Sequence, residues 1–400
     1  MGRVNYGLFL TVVALLPFPQ IILRYACVAW IISWFLEGRW LQINNLQSKI
    51  CNLKSAIPFL LFGLWFAWHV LSGLWAPDHA AWSEQIERYL AFGLLVPVGI
   101  WGVNERYDIR QIGNILIGAC LCAVVFYPAV LTFLLYHREF IDVRPSLHHL
   151  FWDYSSLDWW DFFVANLTHI KHTLFLCSVF FLAAFMAFKL YRDQWRVLIP
   201  IEGILLAFIL LTGSRQALLT GIILLITLLI KELPVRWRKY SIGVGVLVIA
   251  AGLALLALHP RMQTERLNQE PRAIIWRMAL DQPRDYIAHG LGGGQSTNYL
   301  ITQFEQHNAF FYSIVRYHCH NQYLEELMEL GIGGLVLFLL AWCSVPLCAN
   351  KKSRRTAGFF CLMMLLNMCT ESMFAVFCGV ALWAVSMILI RFQSNREGEH

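Results

Sequence analysis

The sequence predicts an all-α polytopic membrane protein, and three observations predict it: the composition, the long apolar runs and the placement of the charges. Of the 400 residues, 58% are hydrophobic and 14% are charged, whereas a soluble globular domain carries about 45–50% apolar and about 25% charged residues. Only helices or closed barrels satisfy every backbone group in lipid, and apolar runs this continuous are typical of helices. We therefore expect residues 1–400 to form a single transmembrane domain.

The apolar runs recur along the whole chain at lengths that suit a bilayer, which takes roughly 17–25 helical residues per crossing. Pro17 and Pro19 separate the first run from the second, and we interpret the first as a retained span and not as a cleaved signal peptide. The prediction is twelve spans, at 5–17, 20–36, 56–75, 88–103, 111–136, 169–188, 196–211, 216–230, 241–258, 332–348, 357–369 and 373–390.

The loops between these runs form two sets that alternate along the chain. Most of the 31 Lys and Arg residues fall in the short loops of one set and in the terminal segments, which predicts that this set and both termini are cytoplasmic. The formal net charge of +6 therefore reflects membrane orientation and does not indicate nucleic-acid binding. The other set contains the two longest loops, an outer loop at 137–168 and a large outer loop at 259–331.

Nearly all the basic residues outside the cytoplasmic set are arginine, whose planar guanidinium binds phosphate through paired hydrogen bonds. Arg215 lies in the turn between two apolar runs, where a cation near membrane depth indicates function. Arg88 begins a span from the outer side, and Arg272 begins an amphipathic stretch that also contains Arg277. These residues predict a site for a phosphate-bearing ligand beside lipid. The alternative is that each guanidinium reaches out to lipid headgroups.

Histidines are concentrated in the outer loops, and histidine is the side chain that accepts a proton near neutral pH. His320 is the strongest candidate because it begins a short amphipathic helix that Gly331 and Gly334 separate from the next span. The glutamates of that helix are expected on its polar face: Glu325, Glu326 and Glu329. His172, at the start of another span, is a weaker candidate for orienting a substrate. The alternative for His320 is a histidine that merely caps a surface helix.

Several outer-loop patterns favour structural roles. The stretch after Arg272 is expected to present Ile274, Ile275, Met278 and Ala279 to the membrane. An interfacial belt is a better interpretation than sugar stacking for the aromatic residues, which include Phe304, Phe310, Phe311, Tyr312 and Tyr317. The GLGGGQ segment at 290–295 lacks the context of a phosphate-binding loop and is expected to form a turn. No metal site is expected, because no recognised ligand spacing joins His148, His149, Asp153, Asp158 and Asp161.

One motif resembles a known family. His320 and Asn321, followed after nine residues by Gly331 and after two more by Gly334, resemble the pattern of the bacterial O-antigen ligases. The context of Arg215 and the stretch from Arg272 to Gln295 are similar to the corresponding parts of the wider O-antigen ligase and polymerase superfamily. The resemblance implies a GT-C-like fold in the bacterial inner membrane, with a periplasmic active site and no cofactor.

The resemblance also implies a reaction and its partners. An undecaprenyl diphosphate-linked glycan donor and a lipid A-core acceptor would meet at the membrane, and the transfer would be inverting and metal-independent. We expect Arg215, Arg272 and Arg88 to bind the diphosphate and His320 to accept the proton of the acceptor hydroxyl. Arg277, His172 and Asn321 are further candidates for substrate contacts. O-antigen polymerase and protein O-oligosaccharyltransferase remain alternatives, and a flippase for lipid-linked glycans is the alternative from another class. The oligomeric state is open.

Overall fold

The computed structural model describes residues 2–38, 53–102, 107–137, 172–232, 271–351 and 353–395. Within these ranges the chain forms helices and turns and contains no strand. The α-helices are, in chain order, α1 (Gly2–Leu15), α2 (Gln20–Leu36), α3 (Leu53–Leu71), α4 (His79–Trp101), α5 (Ile109–His137), α6 (Thr173–Tyr191), α7 (Trp195–Leu211), α8 (Arg215–Glu232), α9 (Pro271–Ala279), α10 (Ser296–Gln306), α11 (Phe310–Val315), α12 (Gln322–Cys348), α13 (Arg354–Met368) and α14 (Phe377–Asn395).

Among the described residues, four helical segments are long and apolar enough to cross a membrane: Lys54–Leu74, Ile109–Phe133, Thr173–Tyr191 and Gln322–Cys348. Shorter apolar helices lie at Gly2–Leu15, Gln20–Leu36, Arg215–Leu228 and Phe377–Gln393. The prediction of an all-α membrane protein is confirmed. The span count and the GT-C-like arrangement remain predictions, and the predicted span at 241–258 lies outside the described residues.

The helix boundaries follow from local sequence. α1 ends at Leu15 and α2 begins at Gln20, so Pro17 and Pro19 occupy the break, where they cost no helical hydrogen bonds. α4 begins after Asp78, whose Oδ1 accepts hydrogen bonds from the backbone N–H groups of Ala80 and Ala81 at 2.9 and 3.1 Å. Such a cap satisfies N–H groups that have no partner within the helix.

One compact unit comprises Met1–Val12, Leu23–Ile109 and Glu270–His400. Its helices pack around buried aromatic rings. The Phe62 ring stacks on that of Phe92 with centroids 5.7 Å apart, and the Phe92 centroid is 4.3 Å from that of Trp383. Phe374, in the turn before α14, packs edge-on against Phe92 at 4.8 Å. This aromatic core therefore holds the turn before α14 against α4.

The same unit contains a second, smaller core beside the start of α12, formed by Ile275, Ala279, Tyr286, Leu300, Phe304, Cys319 and Met328. The apolar face of α9 points into this core. Ile275 and Ala279 are fully buried there and Met278 packs against it, so the expectation that this face meets the membrane is wrong. Phe304 is likewise fully buried and does not belong to an interfacial belt. These apolar side chains pack against one another and against Met328 of α12, and so they form a protein core.

The other compact unit comprises Val13–Ile22 and Arg110–Gln269. α6 is buried along most of its length, and the Phe180 ring stacks on Phe208 of α7 with centroids 4.9 Å apart. The Tyr127 hydroxyl of α5 donates a hydrogen bond to the Pro17 carbonyl at 2.6 Å. This unit carries Arg215 and His172.

Candidate functional site

His320 lies immediately before α12 and pairs with a carboxylate distant in sequence. Its Nδ1 is 3.0 Å from Oε1 of Glu371. In the neutral ring, an Nδ1–H that donates to the carboxylate leaves Nε2 as the nitrogen that can accept a proton. The His320 side chain keeps 19% of its surface exposed, while that of Glu371 keeps 3%. The pair therefore has the form of a general base that a buried acid orients.

Glu371 also joins the histidine to an arginine. Nη2 of Arg272 lies 3.6 Å from Oε2 of Glu371, and Nε2 of His318 lies 3.7 Å from Oε1. The His318 ring packs beside that of His320, with centroids 3.8 Å apart. The backbone N–H of His320, a residue with φ of 48°, donates to His318 Nδ1 at 3.2 Å. His318 thus contacts both members of the pair.

Sequence reasoning assigned no role to Glu371. The predicted spans at 357–369 and 373–390 leave Glu371 in a short connection, and no sequence pattern links a carboxylate there to a histidine 51 residues earlier. A single carboxylate between two apolar runs was the only signal, and many such carboxylates are merely solvated.

The Asn321 side chain uses both its oxygen and its amide, which accounts for an asparagine at the position after His320. Its Oδ1 accepts hydrogen bonds from the N–H groups of Tyr323 and Leu324 at 3.0 and 3.1 Å and so caps α12. Its Nδ2 donates to the Cys369 carbonyl at 3.0 Å. Asn321 therefore caps the helix that follows His320 and ties the start of this helix to the segment that carries Glu371. A direct contact of Asn321 with substrate remains a prediction.

Two further side chains hold the turn of Glu371. Oε1 of Gln322 accepts the backbone N–H of Phe374 at 2.8 Å, and Nη1 of Arg88 donates to the Ala375 carbonyl at 2.8 Å. Arg88 is thus engaged with the turn in this structure, and its predicted role at the diphosphate remains a prediction. The segment 369–375 is consequently held by α12 on one side and by α4 on the other.

The glutamates of α12 are buried, so the expected polar face of this helix points inward. Glu326 accepts hydrogen bonds from Gln322 Nε2 at 2.9 Å and Trp65 Nε1 at 2.7 Å, and His69 Nε2 lies 3.3 Å away. Glu329 accepts from Gln85 and Ser296 at 2.5 and 2.8 Å. Burying such carboxylates is tolerable because donors surround them. The buried network fastens the start of α12 to α3, α4 and α10.

The GLGGGQ segment forms turns, as predicted, and packs on the kink of α12. Leu291 and Gly292 donate backbone hydrogen bonds to the carbonyls of Met328 and Glu329, each at 2.9 Å. Gly331 has φ of 69° inside α12, and a Cβ at this position would lie 2.8 Å from the Ala288 carbonyl oxygen. The first glycine of the motif is therefore required both for a left-handed backbone and for close approach of this segment.

The remaining predicted residues occupy helix ends. Arg272 is the second residue of α9, and Arg277 is exposed in the last turn of the same helix. Arg215 is the first residue of α8, and His172 directly precedes α6; both belong to the other compact unit. The structure thus brings together His320, Asn321, Arg272 and Arg88. The first turn of a helix carries partial positive charge, which repels a guanidinium. An arginine in such a turn, as Arg272 is, is therefore stabilised only by a neighbouring anion.

Within the part of the chain that the structure describes, one group of side chains has metal-ligand spacing. Ligand atoms of His318, His320 and Glu371 all lie within 4.8 Å of one another. Arg272, however, places a guanidinium 3.6 Å from the same carboxylate, and this positive charge opposes a cation there. The arrangement fits an ion-pair cluster better than a metal centre. The metal-ligand candidates His148, His149, Asp153, Asp158 and Asp161 lie outside the described residues.

Residues 203–339 match the family model described as O-antigen ligase. The match covers about a third of the 400 residues, and this segment is similar to that family. The match contains Arg215, Arg272 and the whole His-Asn and glycine motif, which confirms the resemblance drawn from the sequence. No curated protein matches the chain. The family match and the apolar helices together support a multi-pass inner-membrane protein with a glycosyltransferase-like function of the ligase or polymerase type.

Proposed function

We propose that the protein is an O-antigen ligase. In this proposal it transfers a glycan from undecaprenyl diphosphate to a sugar hydroxyl of lipid A-core on the periplasmic face of the inner membrane. The observation that carries the proposal is the pair of His320 and Glu371, with Arg272 on the other oxygen of the same carboxylate. Proton acceptor and phosphate-binding cation are thus adjacent within one site.

The proposed chemistry is a direct displacement. The acceptor oxygen forms a bond to the anomeric carbon of the donor, and the bond from that carbon to the diphosphate oxygen breaks. The bonding electron pair leaves with the diphosphate, and the hydroxyl proton moves to Nε2 of His320. Glu371 holds the ring in the required tautomer and stabilises the imidazolium that forms. Attack opposite the leaving group inverts the anomeric configuration.

Arginines stabilise the leaving group in this proposal, because negative charge grows on the diphosphate as the glycosidic bond breaks. Arg272 keeps 39% of its side chain exposed, so its guanidinium can contact a ligand while it remains beside Glu371. Arg215 belongs to the other compact unit, and its role at the diphosphate stays a prediction from the sequence. Fixed guanidinium groups would supply the charge that a divalent metal supplies elsewhere.

The test is a gel of surface lipopolysaccharide from a deletion strain complemented with wild type, His320→Ala or His289→Ala. His289 is an exposed histidine in a turn of the same unit and serves as the matched control. A ligase predicts core-lipid A without O-antigen in the His320→Ala strain, polymeric O-antigen left on its carrier, and full rescue by His289→Ala. Core that carries a single repeat unit would indicate a polymerase. An unchanged ladder would contradict glycan transfer altogether.

Transfer by the purified protein separates an enzyme from a flippase. Wild-type protein supplied with lipid-linked donor and core acceptor in detergent should form the ligated product without any second membrane compartment. A protein that only moves lipid-linked glycans across the bilayer would form none.

A further inference from the structure

The short helix α11 presents an exposed apolar face. Its exposed fractions are 54% for Phe310, 62% for Phe311, 79% for Ile314 and 42% for Val315. Most of this six-residue helix is therefore apolar surface open to its surroundings. Clustered exposed apolar residues of this kind mark an interaction surface.

The opposite side of α11 is anchored. The Tyr312 ring lies between those of Phe304 and Tyr317, with centroids 5.5 Å from each. The Ser313 hydroxyl donates to Oε1 of Glu305 at 2.8 Å. Since Phe304 belongs to the small core beside α12, the apolar face is held in a defined orientation.

A row of rings connects this face to the catalytic histidine. The centroids of Phe311 and Tyr317 are 6.3 Å apart, and those of Tyr317 and His320 are 6.1 Å apart. The connection from Val315 to Gln322 is short, and even a fully extended chain of this length spans only about 25 Å. α11 must therefore lie near the end of α12, a helix long enough to cross the membrane.

We propose that the exposed face of α11 inserts into the lipid leaflet that surrounds this end of α12. α12 itself carries a stripe of exposed apolar residues at helical spacing, Ile332, Val336 and Leu340, which suits contact with lipid. Arg316, exposed at the end of α11, provides a cation at the level where phosphate headgroups lie. Lipid is thus the occupant that fits both the apolar face and the adjoining charge.

The consequence of this insertion for glycan transfer rests on the proposed function. Insertion of α11 sets the depth of Tyr317 and His320 relative to the headgroups, where the diphosphate of a polyprenyl donor must lie. α11 is then a positioning element for donors that reside in a bilayer and is dispensable for a donor presented in micelles.

Insertion is tested by labelling. Full-length protein in nanodiscs of phosphatidylethanolamine and phosphatidylglycerol, containing a phospholipid with a photoactivatable diazirine on its acyl chain, is irradiated, digested and analysed by mass spectrometry. The peptide of α11 should be labelled, as should the stripe of α12, which is the positive control. Ile314→Asp should abolish labelling of α11, whereas Thr302→Asp, the same change at an exposed polar position of α10, should preserve it. An unlabelled α11 beside a labelled α12, or a cross-link from α11 to a second copy of the chain, would overturn the insertion.

Transfer is measured with the same variants. Ile314→Asp should lower transfer from a full-length polyprenyl donor in nanodiscs at least fivefold, and it should match wild type with a short-chain donor in detergent. Equal transfer in nanodiscs despite lost labelling would refute the link from α11 to His320. If wild-type protein transfers no glycan from either donor, the proposed function fails, while the labelling result still decides the insertion.

Discussion

Glu371 lies 3.0 Å from His320, although 51 residues separate them. α12 and α13 and the turn that joins them intervene, and the pair forms because α13 returns the chain to the start of α12. A hydrogen bond donated by Asn321 and another accepted by Gln322 then hold the turn of Glu371 in place. The geometry of the site is therefore a property of this turn as much as of the His-Asn motif.

Glu371→Gln should lower the turnover rate about 100-fold, the lower range of what a positioned general base contributes. The KM for donor should change little, because the glutamine preserves size and hydrogen bonding while it removes the charge that stabilises the imidazolium. Steady-state transfer by purified protein measures both constants, and Glu371→Asp should recover part of the rate. Glu87→Gln, at an exposed position of α4, is the control. Wild-type turnover of the Glu371→Gln protein would contradict a role for Glu371 in the reaction.

Arg272→Ala should lower kcat/KM for the lipid-linked donor by roughly 10- to 150-fold, since a hydrogen bond to a charged group contributes about 1.5–3 kcal/mol. Arg272→Lys should recover only part of this loss because an ammonium cannot reproduce the planar fork. Arg284→Ala changes an exposed arginine of the same segment and should behave as wild type. Equal losses for Arg272 and Arg284 would indicate a general effect of surface charge.

Asn321 has two separable functions. Asn321→Ala loses both and should lower thermal stability by about 1 kcal/mol, as is usual when a helix cap is lost. Asn321→Asp keeps the oxygen that caps α12 but loses the amide that donates to Cys369. We expect near-normal melting of Asn321→Asp in detergent together with reduced transfer. Full activity in Asn321→Asp would show that the link to Cys369 is dispensable.

Gly331→Ala should destabilise the protein strongly, because alanine disfavours φ of 69° and its Cβ would lie 2.8 Å from the Ala288 carbonyl. Gly333→Ala is the matched control in the same helix, since a Cβ there would meet Trp68 only at an ordinary 3.5 Å. Thermal melting of the two purified variants compares them directly. Equal melting temperatures would contradict the close packing of the GLGGGQ segment on this kink.

The hydrogen bonds around the Asp78 carboxyl predict that the stability of the folded protein depends on pH. Hydrogen bonds from the backbone N–H of Ala81, and then from Ala80 and Asn298, lower the pKa of this carboxyl below its usual value. A lowered pKa stabilises the folded state above the unfolded value, about 3.9, and this contribution disappears as the pH falls through the folded value. Between pH 5 and 3 the melting temperature should therefore fall as Asp78 is protonated. Asp78→Asn should remove this part of the fall, since asparagine caps a helix without titrating. An identical pH profile in the variant would contradict this assignment.

The extent of sequence prediction differs between the helices and the site. The helices at 20–36 and 195–211 lie within one residue of the runs predicted at 20–36 and 196–211, and Gly331 breaks α12 as the motif predicts. The contacts that the motif makes could not be predicted from the sequence. Sequence reasoning identified His320 and Arg272 but gave no partner to either, and it placed Glu326 and Glu329 on a polar surface when both are buried.

The sequence by itself determined the all-α membrane class and the proline and glycine boundaries of the helices. These depend on local hydrophobicity and backbone geometry, which each segment carries in its own residues. Only the tertiary structure decided that Glu371 orients His320, that Ile275 faces a protein core, and that the glutamates of α12 bind donors from three other helices. Those outcomes depend on which segments meet across long intervals of chain, and a helical face alone does not specify whether its partner is lipid, water or protein.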